Sequence, residues 1–187
     1  MSIISTSTNP YTQGPIAATF IRTALPIVLL TSMNGLLTIV DAIFLGAFVG
    51  SDGLTAVTLM FPVSMVLVAL ATMISTGKAS ELGRLLGANQ MEAARRTFAG
   101  AHGLSLLTSI VAMVLFMLIG WPVVILIAGG SPELAAMGHA FLAISIFTSP
   151  IAFLLAVHSD ALRTEGRVGF MAIAGLLVSL ANMGLNY

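Results

Sequence analysis

The chain has 187 residues, 58% hydrophobic and 7% charged, with no net formal charge and no cysteine; its mean hydropathy is +1.06. Soluble domains carry roughly 25% charged residues, so a water-soluble surface is excluded and apolar runs of about 20 residues read as membrane spans. No basic tract offers itself to a nucleic acid, and thiolate metal sites, disulfides and cysteine nucleophiles have no residue to form them.

The first fifteen residues are polar and carry neither Lys nor Arg. The apolar run behind them is too long for a signal-peptide core and further spans follow, so it reads as a retained helix. Five spans are predicted, at roughly 23–48, 54–76, 98–121, 134–158 and 168–187. The fold class is therefore all-α, a polytopic membrane helix bundle treated as a single domain over the whole chain.

Span 1 contains LLTIVDAIFLG at 36–46, where Asp41 is the one carboxylate in an apolar run. Thr31, Asn34, Thr38 and Asp41 follow at helical spacing and share one face. Lipid cannot satisfy such a stripe, which needs the bundle interior or a water-filled cavity. An acid within a span marks function by default, although a hydrogen-bonded structural Asp is the plainer reading. Low dielectric disfavours the charged form of a carboxylate and water favours it. Asp41 is thus a candidate to bind and release H⁺, or to bind Na⁺ with the Asn34 and Thr38 oxygens as hard ligands. Either event changes the charge of a cavity wall and can favour one conformation of the bundle.

In the connection after span 2, Gly87-Ala88-Asn89 reads as a helix stop, and Asn89 with Glu92 as a capping box for the next helix. Behind Trp121, a natural headgroup anchor, PVVILIAGG at 122–130 is too short to cross the bilayer and is expected at the interface. Ser131-Pro132-Glu133 reads as N-cap, N1 and first-turn acid of span 4. Asp160, Arg163 and Glu165 are expected as a solvated loop cluster. Span 5 carries Ser179, Asn182 and Asn186 on one face, where either interhelical hydrogen bonds or a substrate or ion contact is possible. Gly175 on the same face permits close helix approach. The chain stops at Tyr187 with no flanking charge or closing loop, and five is an odd number for a transporter half. A truncated product or a fragment of a longer chain is expected.

All seven basic residues fall on one side of this map. Arg22 precedes span 1; Lys78, Arg84, Arg95 and Arg96 are assigned to the 2–3 loop, and Arg163 and Arg167 to the 4–5 loop. The positive-inside rule then puts the N-terminus in the cytoplasm. Pro26, Pro62 and Pro150 lie within spans, where proline removes a backbone bond and bends a helix. The eleven methionines suit an adaptable pocket, but most are expected to face lipid or fill packing gaps. His102, His139 and His158 sit near span ends without metal-ligand spacing, which favours an interfacial structural role. GKAS at 77–80 is not a phosphate loop, because Thr72 stands where glycine is required. No nucleophile elbow, HExxH or ATP motif occurs, and catalysis is not expected.

The stretch from GPIAATFIRTALPIVLL through VDAIFLGAFVGSDGLTAV resembles the first two helices of multidrug and toxic compound extrusion (MATE) transporters. STGKASELGRLLGANQMEAARR is similar to that family's 2–3 connection, and ALRTEGR followed by ANMGLN to its 4–5 loop and fifth helix. The resemblance runs from about Gly14 to the last residue. It implies two six-helix lobes about a pseudo-twofold axis, with a central cavity open alternately to each side. It also implies exchange of drugs or organic cations for H⁺ or Na⁺ across the cell (inner) membrane, with no other cofactor. On that template Asp41 matches a coupling-ion acid of the first helix. Asn182 and Asn186 match a fifth-helix pair whose second member is often Asp, and Asn186 departs from it. The sixth helix and the second lobe are missing, so a partner lobe or a homodimer partner would have to complete the cavity. Two other readings compete: a lipid-linked precursor flippase, disfavoured because no basic residue is placed inside a span, and a non-transporting accessory or assembly subunit or inactive remnant.

Overall fold

The computed structural model describes residues 15–185; the side chains of residues 19, 180, 182, 183 and 185 lie outside that description. Among the described residues all regular structure is helical: α1 (Ile16–Phe48), α2 (Ser51–Gly87), α3 (Met91–Ile127), α4 (Pro132–Thr164) and α5 (Val168–Leu185). The first four are long and apolar enough to cross a membrane, and α5 holds a shorter apolar stretch, Val168–Ser179.

Each of α1 to α4 is 33 or 37 residues long, or about 50–55 Å at 1.5 Å per residue. That exceeds a hydrocarbon thickness of about 30 Å, so each predicted span is part of a longer helix. The reason is compositional. Residues 77–87 and 91–97 are polar enough to leave an apolar window but rich in Ala, Leu, Glu, Lys and Arg, which keep the backbone helical. Lys78 and Arg84 therefore stand on α2, and Arg95 and Arg96 on α3, leaving a connection of only 88–90. Arg22 lies within α1, and Asp160 and Arg163 lie half-buried on α4; of the expected loop cluster, Glu165 alone is exposed in a turn.

Two further expectations change. PVVILI is not a segment separate from span 3: α3 runs through Pro122 to Ile127, because one missing N–H does not end a helix whose apolar neighbours continue it. Nor does Asn89 cap α3. It adopts φ 57° just beyond α2, with Asn89 N–H bonded to Leu86 O at 3.1 Å and Gln90 N–H to Leu85 O at 2.9 Å. This is the paired closure of a left-handed C-terminal residue; Gln90 is the residue before α3 and makes no capping side-chain bond. By contrast, Leu134 N–H donates to Ser131 Oγ at 3.4 Å, as expected of an N-cap. Pro26, Pro62 and Pro150 lie inside helices that continue past them.

The chain divides into two compact units, one of the described residues up to Ile39 with those from Leu162 onward, the other Val40–Ala161. In the second unit α2, α3 and α4 pack in three successive apolar layers. Met60, Phe116, Val124, Leu142 and Ile146 form the first; Ile74, Ala101, Phe153 and Val157 the second; Leu82, Leu85, Ala94 and Ala161 the third. The buried positions of α4 (Ala135, Gly138, Leu142, Ile146, Ser149, Phe153, Val157 and Ala161) recur every three or four residues and form one stripe. Lipid tails are as apolar as leucine, so close packing rather than the hydrophobic effect selects this face. Small residues mark it: a Cβ on Gly138 would stand 2.9 Å from Met60 Cγ. In the first unit, Val168, Ala172 and Ser179 are buried on α5, and a Cβ on Gly175 of the same stripe would stand 2.7 Å from Leu30 Cδ2 of α1.

Candidate functional site

The polar stripe of α1 lies on a helix whose most apolar window has no buried residue. Asn34, Thr38 and Asp41 are each exposed. Thr38 Oγ1 donates to Asn34 O at 3.0 Å, and Thr31 Oγ1 to Ile27 O at 2.9 Å. A hydroxyl has one proton and two lone pairs. With the proton committed to its own helix, Thr38 presents its oxygen to the outside as an acceptor. Asn34 and Thr38 belong to the first unit and Asp41 to the second; each carries an oxygen donor of the hard type suited to H⁺ or Na⁺ rather than to a soft metal. Burial within the chain does not supply the shelter that such a stripe needs in a membrane.

On α5, Ser179 is buried at 5% exposure, on the face that also holds Gly175. The side chain of Asn182 and all of Asn186 lie outside the described residues.

Between α2, α3 and α4 of the second unit is a cavity of about 380 Å³, lined among others by Val63, Leu67, Thr108, Leu115, Phe116 and Leu142. Its wall is almost wholly apolar and holds neither methionine nor a predicted site residue. The methionines divide as expected between packing, as with Met60, and exposed positions such as Met65, Met73 and Met117.

A polar cluster at the other end of the same helices was not visible as a sequence motif. Lys78 is buried at 5% exposure and donates Nζ to Val157 O at 2.5 Å, with the ammonium 5.6 Å from the centre of the Phe98 ring. A basic residue therefore does lie within the helix packing, contrary to the sequence assignment of Lys78 to a loop. His102 of α3 and His158 of α4 meet with their Nε2 atoms 3.4 Å apart, and both rings pack edge-on against Phe98. His139 instead stacks on Phe116 and meets Trp121 edge-on. One signal for these pairs did exist. His102 and His158 stand equally far in sequence from Gly130, as do Trp121 and His139, so folding α3 and α4 into a hairpin about that turn brings each pair to one level.

The MatE family profile matches residues 26–187. Among solved structures, the outward-facing conformation of a multidrug resistance MATE family transporter of the MOP superfamily is similar with a TM-score of 0.87 at 24% identity, over 97% of this chain and 40% of that one. A MOP superfamily transporter from Pyrococcus furiosus, whose binding pocket is described as having a reverse polarity that suggests a different function, is similar with a TM-score of 0.86 at 24% identity, again over 97% and 40%. The chain thus spans about 40% of the length of these solved relatives. At that identity the likeness is one of fold. No curated protein matches the chain.

Proposed function

Because the chain belongs to the MatE family and is a multi-pass membrane protein with a MATE transporter fold, we propose that it is part of the amino-terminal lobe of a cation-coupled exporter of drugs or organic cations in the cell (inner) membrane. In this proposal Asp41 carries the coupling ion, H⁺ or Na⁺, with Asn34 and Thr38 as oxygen ligands. Asn182 and Asn186 contribute further polar groups to the cavity wall, Ser179 being buried on its face of α5, and no further cofactor takes part.

The observation that carries the proposal is the exposed carboxylate of Asp41 on an apolar helix. In a bilayer an acid within a span has to face protein or water. A second lobe, from a longer chain or from a second copy, would cover it and enclose an aqueous path. Ion binding at Asp41 then changes the charge of that wall, and a ligand that prefers one conformation shifts the population toward it.

Reconstitution of the chain into proteoliposomes tests this. A fluorescent organic cation is expected to move when a pH or Na⁺ gradient is imposed, and Asp41→Asn to abolish that movement while leaving membrane insertion unchanged. Undiminished transport by Asp41→Asn refutes the role of Asp41. Absence of gradient-driven transport by the wild-type chain, alone and co-expressed with a carboxy-terminal lobe, favours the accessory-subunit reading. The flippase reading gains nothing from Lys78, whose ammonium is buried and hydrogen-bonded to a backbone carbonyl.

A further inference from the structure

The meeting of His102 and His158 has a chemical consequence set by their other ring nitrogens. His102 Nδ1 lies 2.8 Å from Phe98 O, and His158 Nδ1 lies 2.8 Å from Leu154 O. A carbonyl oxygen only accepts, so both Nδ1 atoms carry the proton. In the neutral rings both Nε2 atoms are then bare lone pairs, and they converge at 3.4 Å, with the rings at 88° and their centres 4.8 Å apart. Two lone pairs facing each other repel unless a cation stands between them. A shared proton would make a hydrogen bond longer than the roughly 2.7–3.2 Å usual for nitrogen donors. Two imidazole nitrogens each about 2.0–2.1 Å from one tetrahedral metal stand about 3.3–3.4 Å apart, which is the separation found.

We propose that His102 and His158 form a two-histidine clamp for a borderline transition-metal dication such as Zn²⁺, joining α3 to α4. The two Nδ1–H groups bonded to backbone carbonyls fix the tautomer and the ring orientation that metal-ligating histidines require. His158 is exposed and His102 half-buried, and both stand near the ends of their predicted spans, where interfacial water completes the coordination. Among the described residues no third His, Cys, Asp or Glu joins them, which makes the site exchangeable rather than permanent. Lys78 does not compete for the ion, since an ammonium has no lone pair and its proton goes to Val157 O. The clamp does not depend on Asp41 or on transport.

Calorimetric titration of the full chain in lipid nanodiscs with Zn²⁺, after washing with chelator, tests the site. One equivalent is expected to bind. His102→Ala and His158→Ala should each weaken binding by at least the roughly 10–100-fold that loss of a mere supporting hydrogen-bond partner costs, whereas His139→Ala should leave it unchanged. Cu²⁺ bound to the unmutated chain should show magnetic coupling to two imidazole nitrogens, a readout that needs no variant to fold. Absence of stoichiometric binding, coupling to a single nitrogen, or full binding by His158→Ala overturns the proposal.

Discussion

Lys78 Nζ donates to the backbone carbonyl oxygen of Val157 at 2.5 Å, tying α2 to α4 across 79 positions of sequence. A helical carbonyl has two lone pairs, so Val157 accepts this bond in addition to its place in α4. The ammonium is also held near the face of Phe98, where a cation is attracted by the ring quadrupole. A buried charge is tolerated because it is hydrogen-bonded.

Removing that side chain should therefore distinguish packing from charge. Lys78→Ala loses a charge-assisted bond, worth about 1.5–3 kcal/mol, and leaves a void. Lys78→Met keeps most of the volume and removes the desolvated charge, and replacing a buried charge by an apolar group of similar size is often nearly neutral. Unfolding followed by circular dichroism in mixed micelles should rank Lys78→Ala well below Lys78→Met. Equal losses would mean that charge, not packing, dominates the site.

Gly138 of α4 and Met60 of α2 meet closely in the first apolar layer. A Cβ at 138 would meet Met60 Cγ at 2.9 Å, and Met60 is fully buried. Gly138→Val should destabilise by about 1–3 kcal/mol through overpacking, and Met60→Ala by about 2–5 kcal/mol through the cavity it leaves. Because the two share one space, the double variant should cost less than the sum of the singles. Strict additivity in the same unfolding assay would show that the residues do not meet.

Asn89 occupies the left-handed region at φ 57°, where a β-branched residue is strained. Asn89→Gly should be neutral or stabilising, and Asn89→Val should cost roughly 1–2 kcal/mol. Hydrogen exchange of the amides at 88–90 should rise in the Val variant and not in the Gly variant. Equal protection in both would place the connection in another conformation.

Gly175 and Leu30 make the corresponding contact in the other unit, with the missing Cβ 2.7 Å from Leu30 Cδ2. Gly175→Ile should destabilise by about 1–3 kcal/mol, and Leu30→Ala in the same chain should recover part of the loss. Proteolytic susceptibility of α5 provides the measurement; failure of Leu30→Ala to rescue would assign the cost to another neighbour.

Much of the helical content was legible because an apolar run long enough to cross a bilayer has few alternatives once backbone groups must be satisfied without water. Asp41 was singled out as an acid in an apolar run, Asn34, Thr38 and Ser179 by their helical spacing, and the close approach at Gly175 followed from glycine on the Ser179 face. Helix ends were less legible. Hydropathy marks where a helix leaves an apolar window, whereas the backbone ends where a turn closes it, and at Asn89 the left-handed closure took the residue that had been read as a cap.

Composition and periodicity thus determined that the chain is helical, that it belongs in a membrane and which of its polar side chains are anomalous, since each depends on single residues or on their spacing within one helix. Only the tertiary structure decided that Lys78 is buried against Val157 and that His102 meets His158. Each pair joins different helices, and where hydrophobicity is uniform around a helix, the face that packs is chosen by the fit of small residues against large ones, a property of two surfaces that neither sequence segment contains alone.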